Sequence, residues 1–151
     1  MTIQTGVLVT RVDAEAQFTL GEIYEGANGK TYKYITYSEE AAATDGVAGE
    51  VAYYVAAAGY ANNDVTSDVS ASDNVGAGVL QAVMSDNEFG WVQIEGPATL
   101  TIALTAGGDG AKLTAVGAGD GTLDVSATLT DVIVATAGDI SAKEILCHFP
   151  R

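Results

Sequence analysis

One adjacent pair in the 151-residue chain could join a nucleophile to a base: Cys147-His148. Thiolate–imidazole chemistry needs the sulfur and a ring nitrogen within hydrogen-bond reach of each other. The residues around them, Lys143 to Phe149, read as a strand, and strand neighbours point to opposite faces. Cys147 then shares an apolar face with Ile145 and Phe149, while His148 and Glu144 take the other. The chain has a single histidine and a single cysteine, and no serine sits in a nucleophile-elbow context. We expect no catalytic residues and no enzyme, with Cys147 buried and His148 at the surface or in an interface.

Oxygen ligands are the next chemistry to weigh. Asp64, Asp68, Asp73 and Asn74 fall in one polar stretch over 62–74, and Asp109 and Asp120 sit in Gly-Asp-Gly turns. None follows the ligand spacing of an EF-hand loop. Aspartates in glycine turns ordinarily satisfy nearby backbone donors. The turns also lack the Lys-Ser/Thr pair and following helix of a phosphate cradle. No metal and no cofactor are expected.

The aromatics are Tyr24, Tyr32, Tyr34, Tyr37, Tyr53, Tyr54, Tyr60 and Trp91, with three phenylalanines. Gathered on an exposed face they would make a sugar platform. Most lie in strand-like stretches, where tyrosine is a normal strand former, so packing in a core or subunit interface is the expected use.

The elements that would position these groups are short. Glu22 to Glu25 and Lys30 to Tyr37 flank Asn28-Gly29, a strong hairpin dipeptide. Alternation puts Tyr32 and Tyr34 on one face of the second strand and Ile35 and Tyr37 on the other. Residues 38–43 read as a short helical turn capped by Ser38. Strands follow at Val51 to Val55, Val79 to Met84 and Trp91 to Glu95, where Gly96-Pro97 should break the last. Thr99 to Thr105 alternates strictly, with Leu100, Ile102 and Leu104 inward. Leu123 to Ala127, Val132 to Ala137 and Lys143 to Phe149 complete the set, with an extended piece at Asp64 to Thr66 inside the polar stretch. Many short strands joined by glycine turns predict an all-β fold, a compact barrel or sandwich of antiparallel strands. Residues 1–15 are expected to form an extended N-terminal arm, and 16–151 a single β-rich domain.

Charge narrows the partners. Six basic side chains against twenty acidic ones leave a net charge of −14. A chain this acidic has no footprint for nucleic acid and is repelled by an anionic membrane. No apolar run approaches the roughly 20 residues of a spanning helix. One cysteine excludes an internal disulfide framework. Hydrophobic residues make up 48% and charged residues 17%, enough apolar mass for a core. Between Lys33 and Lys112 there is no Lys or Arg, so that stretch should give an acidic, hydrated face.

The order of these motifs resembles the capsid cement, or head decoration, proteins of tailed bacteriophages. It is carried by Asn28-Gly29-Lys30-Thr31-Tyr32-Lys33-Tyr34-Ile35, Asp64-Val65-Thr66-Ser67-Asp68 and Gly76-Ala77-Gly78-Val79. Phe89-Gly90-Trp91-Val92-Gln93-Ile94-Glu95-Gly96-Pro97 and the Gly-Asp turns after Gly107 complete it. The resemblance spans about residues 18–149. It implies a β-barrel-like protein, usually a homotrimer, made in the host cytoplasm and mounted on the outer capsid surface of the virion. There it would stabilise contacts between copies of the major capsid protein. On this reading the interface residues expected are Ile3, Val7, Val9, Tyr34, Tyr37, Trp91, His148 and Phe149. The alternative is a virion tail or extracellular carbohydrate-binding β-module.

Overall fold

The computed structural model describes residues 6–151. Its strands are β1 (Ile23–Glu25), β2 (Thr31–Tyr37), β3 (Val51–Val55), β4 (Asp64–Thr66), β5 (Ser72–Leu80), β6 (Phe89–Thr99), β7 (Lys112–Thr114), β8 (Asp124–Val125), β9 (Ala135–Asp139) and β10 (Glu144–His148). A one-turn helix, α1 (Gly59–Asn62), and 3-10 turns at Glu40–Ala42 and Val69–Ala71 complete the described structure. The all-β expectation holds. Strands β2, β4, β3, β5 and β6 follow one another in a ring that closes through β2–β6, giving a five-stranded barrel. A ring of odd number cannot alternate direction all the way round. The parallel pair this requires is β2–β4, a departure from the purely antiparallel expectation.

The longest strand does two jobs. The first half of β6 pairs with β2 from Thr36↔Phe89 to Tyr32↔Gln93, closing the barrel. Its second half pairs with β10, from His148↔Glu95 to Glu144↔Thr99. Beyond β10 the sheet continues through β9 and β7 to β8. Gly96-Pro97 therefore does not end the strand. Gly96 takes φ +95°, open to glycine, and packs against the hairpin turn, where an added Cβ would stand 3.2 Å from the Gly29 carbonyl. The strand runs on to Thr99.

Three other expectations shift. Thr99 to Thr105 keeps its alternation in burial, with Leu100 buried and Ile102 and Leu104 half-buried. Beyond Thr99, the last residue of β6, it joins no ladder, because its amides bond to scattered loops: Leu100 N–H to Lys143 O, Thr101 N–H to Gly49 O, Thr105 N–H to Leu123 O. The turn at 38–43 is a 3-10 turn over Glu40–Ala42, and Ser38 donates instead to Asp64 Oδ1 at 2.7 Å. The polar stretch 62–74 is part of the body of the fold: β4 runs through it between β2 and β3, and Ser67 and Asp68 are buried.

Two apolar clusters hold the molecule. Ile35, Tyr37, Val65, Val79, Val92 and Ile94 belong to the larger one, which extends through Ile145, Cys147, Phe149, Leu113 and Leu123. The smaller lies on the opposite face of β2: Tyr32, Tyr34 and Trp91, covered by Val7, Val9, Phe18, Leu20, Tyr24 and Phe89. Period-2 alternation along β2 separates the two. In the smaller cluster Phe18 meets Tyr34 and Trp91 edge-on at 5.2 Å each, a geometry aromatic quadrupoles favour.

Candidate functional site

The expected interface residues divide by burial. Ile3 lies outside the described residues. Tyr34, Tyr37, Trp91 and Phe149 are all at least 97% buried within the chain itself, so as placed they offer no surface to a partner. The reason is amphipathic pairing. Tyr34 stands opposite Trp91 in the β2–β6 ladder with ring centroids 5.0 Å apart, and Tyr37 sends its hydroxyl to the Thr44 carbonyl and Ser67 Oγ. Phe149 fills the space beside Gly76, where a Cβ would stand 2.7 Å from its ring. Val7 and Val9 pack, half-buried, on the Tyr–Trp cluster.

The described part of the arm is accordingly docked on its own barrel. Asp13 pairs both backbone groups with Phe89, at 2.8 and 2.9 Å, and its carboxylate takes Arg11 at 2.6 Å and the Tyr34 hydroxyl at 2.8 Å. The alternate side chain, Leu8, points away and is 63% exposed.

His148 and Cys147 fall on opposite faces as the strand pattern requires. His148 is exposed, with Nε2 3.1 Å from Thr136 Oγ1. Burial pushes the Cys147 thiol up to about 12, so it holds its proton at neutral pH. The turn aspartates tie loops together: Asp109 accepts from the Ile140 amide, Asp120 from Val69, and Asp68 from the amide and hydroxyl of Ser70. Among the described residues no three His, Cys, Asp or Glu side chains are arranged to hold a metal ion, and no helix is long and apolar enough to cross a membrane. Glu39, Asp45 and Asp86 gather at the surface. A hydrogen bond with Asp45 is the first reason the Glu39 carboxyl lies above its ordinary range.

Among the described residues the most exposed large hydrophobic side chain is Leu129, which is fully exposed. It crowns the loop after β8, and Asp131 locks that loop. Asp131 Oδ2 accepts from the amides of Ala127 and Thr128, both at 2.9 Å, and from Ser126 Oγ at 3.2 Å; Oδ1 accepts from Thr128 Oγ1 at 2.8 Å. These bonds hold the Asp131 carboxyl below its ordinary range, the Thr128 amide first among them. The Ser126 amide bonds to Lys112 O and Ile140 is tied to Asp109, so Leu129 and the part-exposed Ile140 rise from the same end of the β7–β9 ladder. Sequence reasoning missed Leu129. The signal was Thr128-x-x-Asp131, a self-bonding turn with one apolar residue inside it.

Compared with known protein families, curated proteins and solved structures, the chain matches none.

Proposed function

We propose that this chain is a structural virion protein, a cement or decoration protein on the outer capsid surface of a tailed bacteriophage. It is made in the host cytoplasm, and its partners are the major capsid protein and its own copies in a homotrimer. The observation that carries the reading is the pre-ordered Leu129 loop. A solvated leucine forgoes roughly 2 kcal/mol of burial free energy, which docking recovers. A loop already rigid before contact adds little ordering cost at that moment. Apolar contacts of this kind, repeated three-fold on a lattice, reach high avidity from individually weak docking. The net charge of −14 keeps the remaining surface hydrated and clear of DNA.

The sugar-binding alternative gains no support, because its platform is absent among the described residues. Tyr32, Tyr34, Tyr37, Tyr53, Tyr54 and Trp91 are buried, and Tyr60 is the one large aromatic side chain more than half exposed.

Co-sedimentation with shells of the major capsid protein encoded beside it, before and after expansion, tests the reading. Saturable pelleting, with greater heat resistance of the shells, is expected; pelleting with neither form sinks it. Sedimentation equilibrium measures the trimer separately.

A further inference from the structure

Lys33 is the one buried cation among the described residues, at 4% exposure. It stands on β2 in step with Ile35 and Tyr37, so alternation turns it to the core side, away from Tyr32 and Tyr34. Its ammonium donates to the Tyr54 hydroxyl at 2.8 Å and lies 5.3 Å from the Tyr54 ring centroid and 5.7 Å from that of Tyr60. An ammonium has three N–H donors, and Tyr54 takes one. In a chain with 20 acidic residues, none among those described lies within ion-pairing distance of Lys33. Arg11 and Arg151 do have carboxylate partners, and Lys30, Lys112 and Lys143 reach solvent.

An open recess of about 440 Å³ is lined in part by Lys33. Leu20, Ile23, Tyr60, Asn63 and Arg151 also line it. Arg151 is already held by both oxygens of Glu95, at 3.0 and 3.2 Å, leaving Lys33 as the uncompensated charge. Tyr60, 56% exposed, rides on the single turn of α1 between the left-handed residues Ala58 and Asn63.

We propose that the Lys33 recess is a binding site for a carboxylate carried on a short aliphatic chain. The carboxylate supplies the missing counter-charge and accepts the free N–H groups, and the chain lies between Leu20, Ile23 and Tyr60. A monoanion suits the site better than a phosphate, since one ammonium faces the ligand and the surrounding protein is strongly negative. Repulsion from exposed carboxylates beyond about 8 Å is largely screened at physiological salt, whereas a partly buried ion pair is screened much less. The carboxylate comes from a small free acid or from a glutamate side chain of another protein. The site does not depend on the cement reading.

The test uses the full chain with ¹³C-labelled lysine, whose four lysines give few, separable Cε signals. Butyrate is one probe and N-acetyl-glutamic acid α-amide the other, with sodium chloride at matched ionic strength as control. Expected is a saturable Lys33 Cε shift at millimolar probe, absent with chloride, while Lys30, Lys112 and Lys143 stay put. Butyrate alone points to a free acid; the glutamate amide alone points to a protein side chain. Lys33→Met should lose binding. Should that variant fail to fold, Tyr60→Ala, which alters an exposed wall, should weaken binding at least fivefold. No saturable shift with either probe, equal shifts at all four lysines, or full-strength binding by a folded Lys33→Met would each overturn the proposal.

Discussion

The Tyr34 hydroxyl donates to Asp13 Oδ2 at 2.8 Å, joining the N-terminal segment to barrel strand β2 beneath it. The same hydroxyl accepts from the Gln17 amide at 3.2 Å, so one phenol orders two points of that segment. Removing it leaves Asp13, 6% exposed, with one donor fewer and takes an acceptor from the Gln17 amide. Tyr34→Phe should cost about 1–2 kcal/mol in urea unfolding while the barrel stays intact. Amide exchange at Gln17 should rise well above that at residues of β6. An unchanged urea midpoint would mean that the bond contributes nothing net.

Leu129→Ser separates docking from folding. Because the side chain touches nothing, stability should stay within about 0.5 kcal/mol of the parent. Affinity for expanded capsid shells should fall at least tenfold, about 1.4 kcal/mol. Equal shell binding by the variant would move the docking surface elsewhere.

Acid should release the Leu129 loop late. The folded carboxyl of Asp131 lies below its ordinary 3.8, so its contribution is fully present above that value and is lost as pH falls through the folded one. Amide protection at Ala127 and Thr128 should persist through the ordinary carboxylate range and disappear only below it. Asp131→Ala should abolish that protection at every pH.

Alkali should act in two opposite directions. Burial holds Lys33 below its ordinary 10.5, so the folded chain binds fewer protons there than the unfolded one. Stability therefore rises with pH across the window between the two values. Burial also pushes Tyr34 up to about 12 and raises Tyr37, Tyr53 and Tyr54. These keep protons that the unfolded chain loses above pH 10, so stability falls there. Urea midpoints should climb to about pH 10 and then turn over; a folded Lys33→Met should lose the climb and keep the fall.

Gly78→Ala tests the close approach of β5 to β6. At φ +153° an added Cβ would stand 2.8 Å from both Val92 Cβ and the Gln93 carbonyl. Neither the backbone nor the β-branched neighbour can yield, and a loss of about 2–3 kcal/mol is expected in thermal or urea unfolding. An unaltered midpoint would show that β5 and β6 can part without penalty.

What the sequence by itself determined was local. Alternation along Thr31 to Tyr37 sorted Tyr32 and Tyr34 from Ile35 and Tyr37, and the structure uses the two sets in separate clusters. The same rule put Ile145, Cys147 and Phe149 inward and His148 outward. Asn28-Gly29 marked the β1–β2 hairpin, because few residues accept such backbone angles. Tertiary structure decided everything that rests on which strand lies beside which. Pattern gives a strand two faces but no neighbours, so it could not place β4 in parallel beside β2 or carry β6 past Pro97 to β10. Nor could it tell a tyrosine that faces a partner from one that faces Trp91 across its own ladder. Both faces of a barrel strand can be apolar when another segment covers the outer one, as 7–24 covers Tyr34 here. The same long-range packing left Leu129 bare and Lys33 enclosed, since exposure belongs to the assembled surface and not to any stretch of chain.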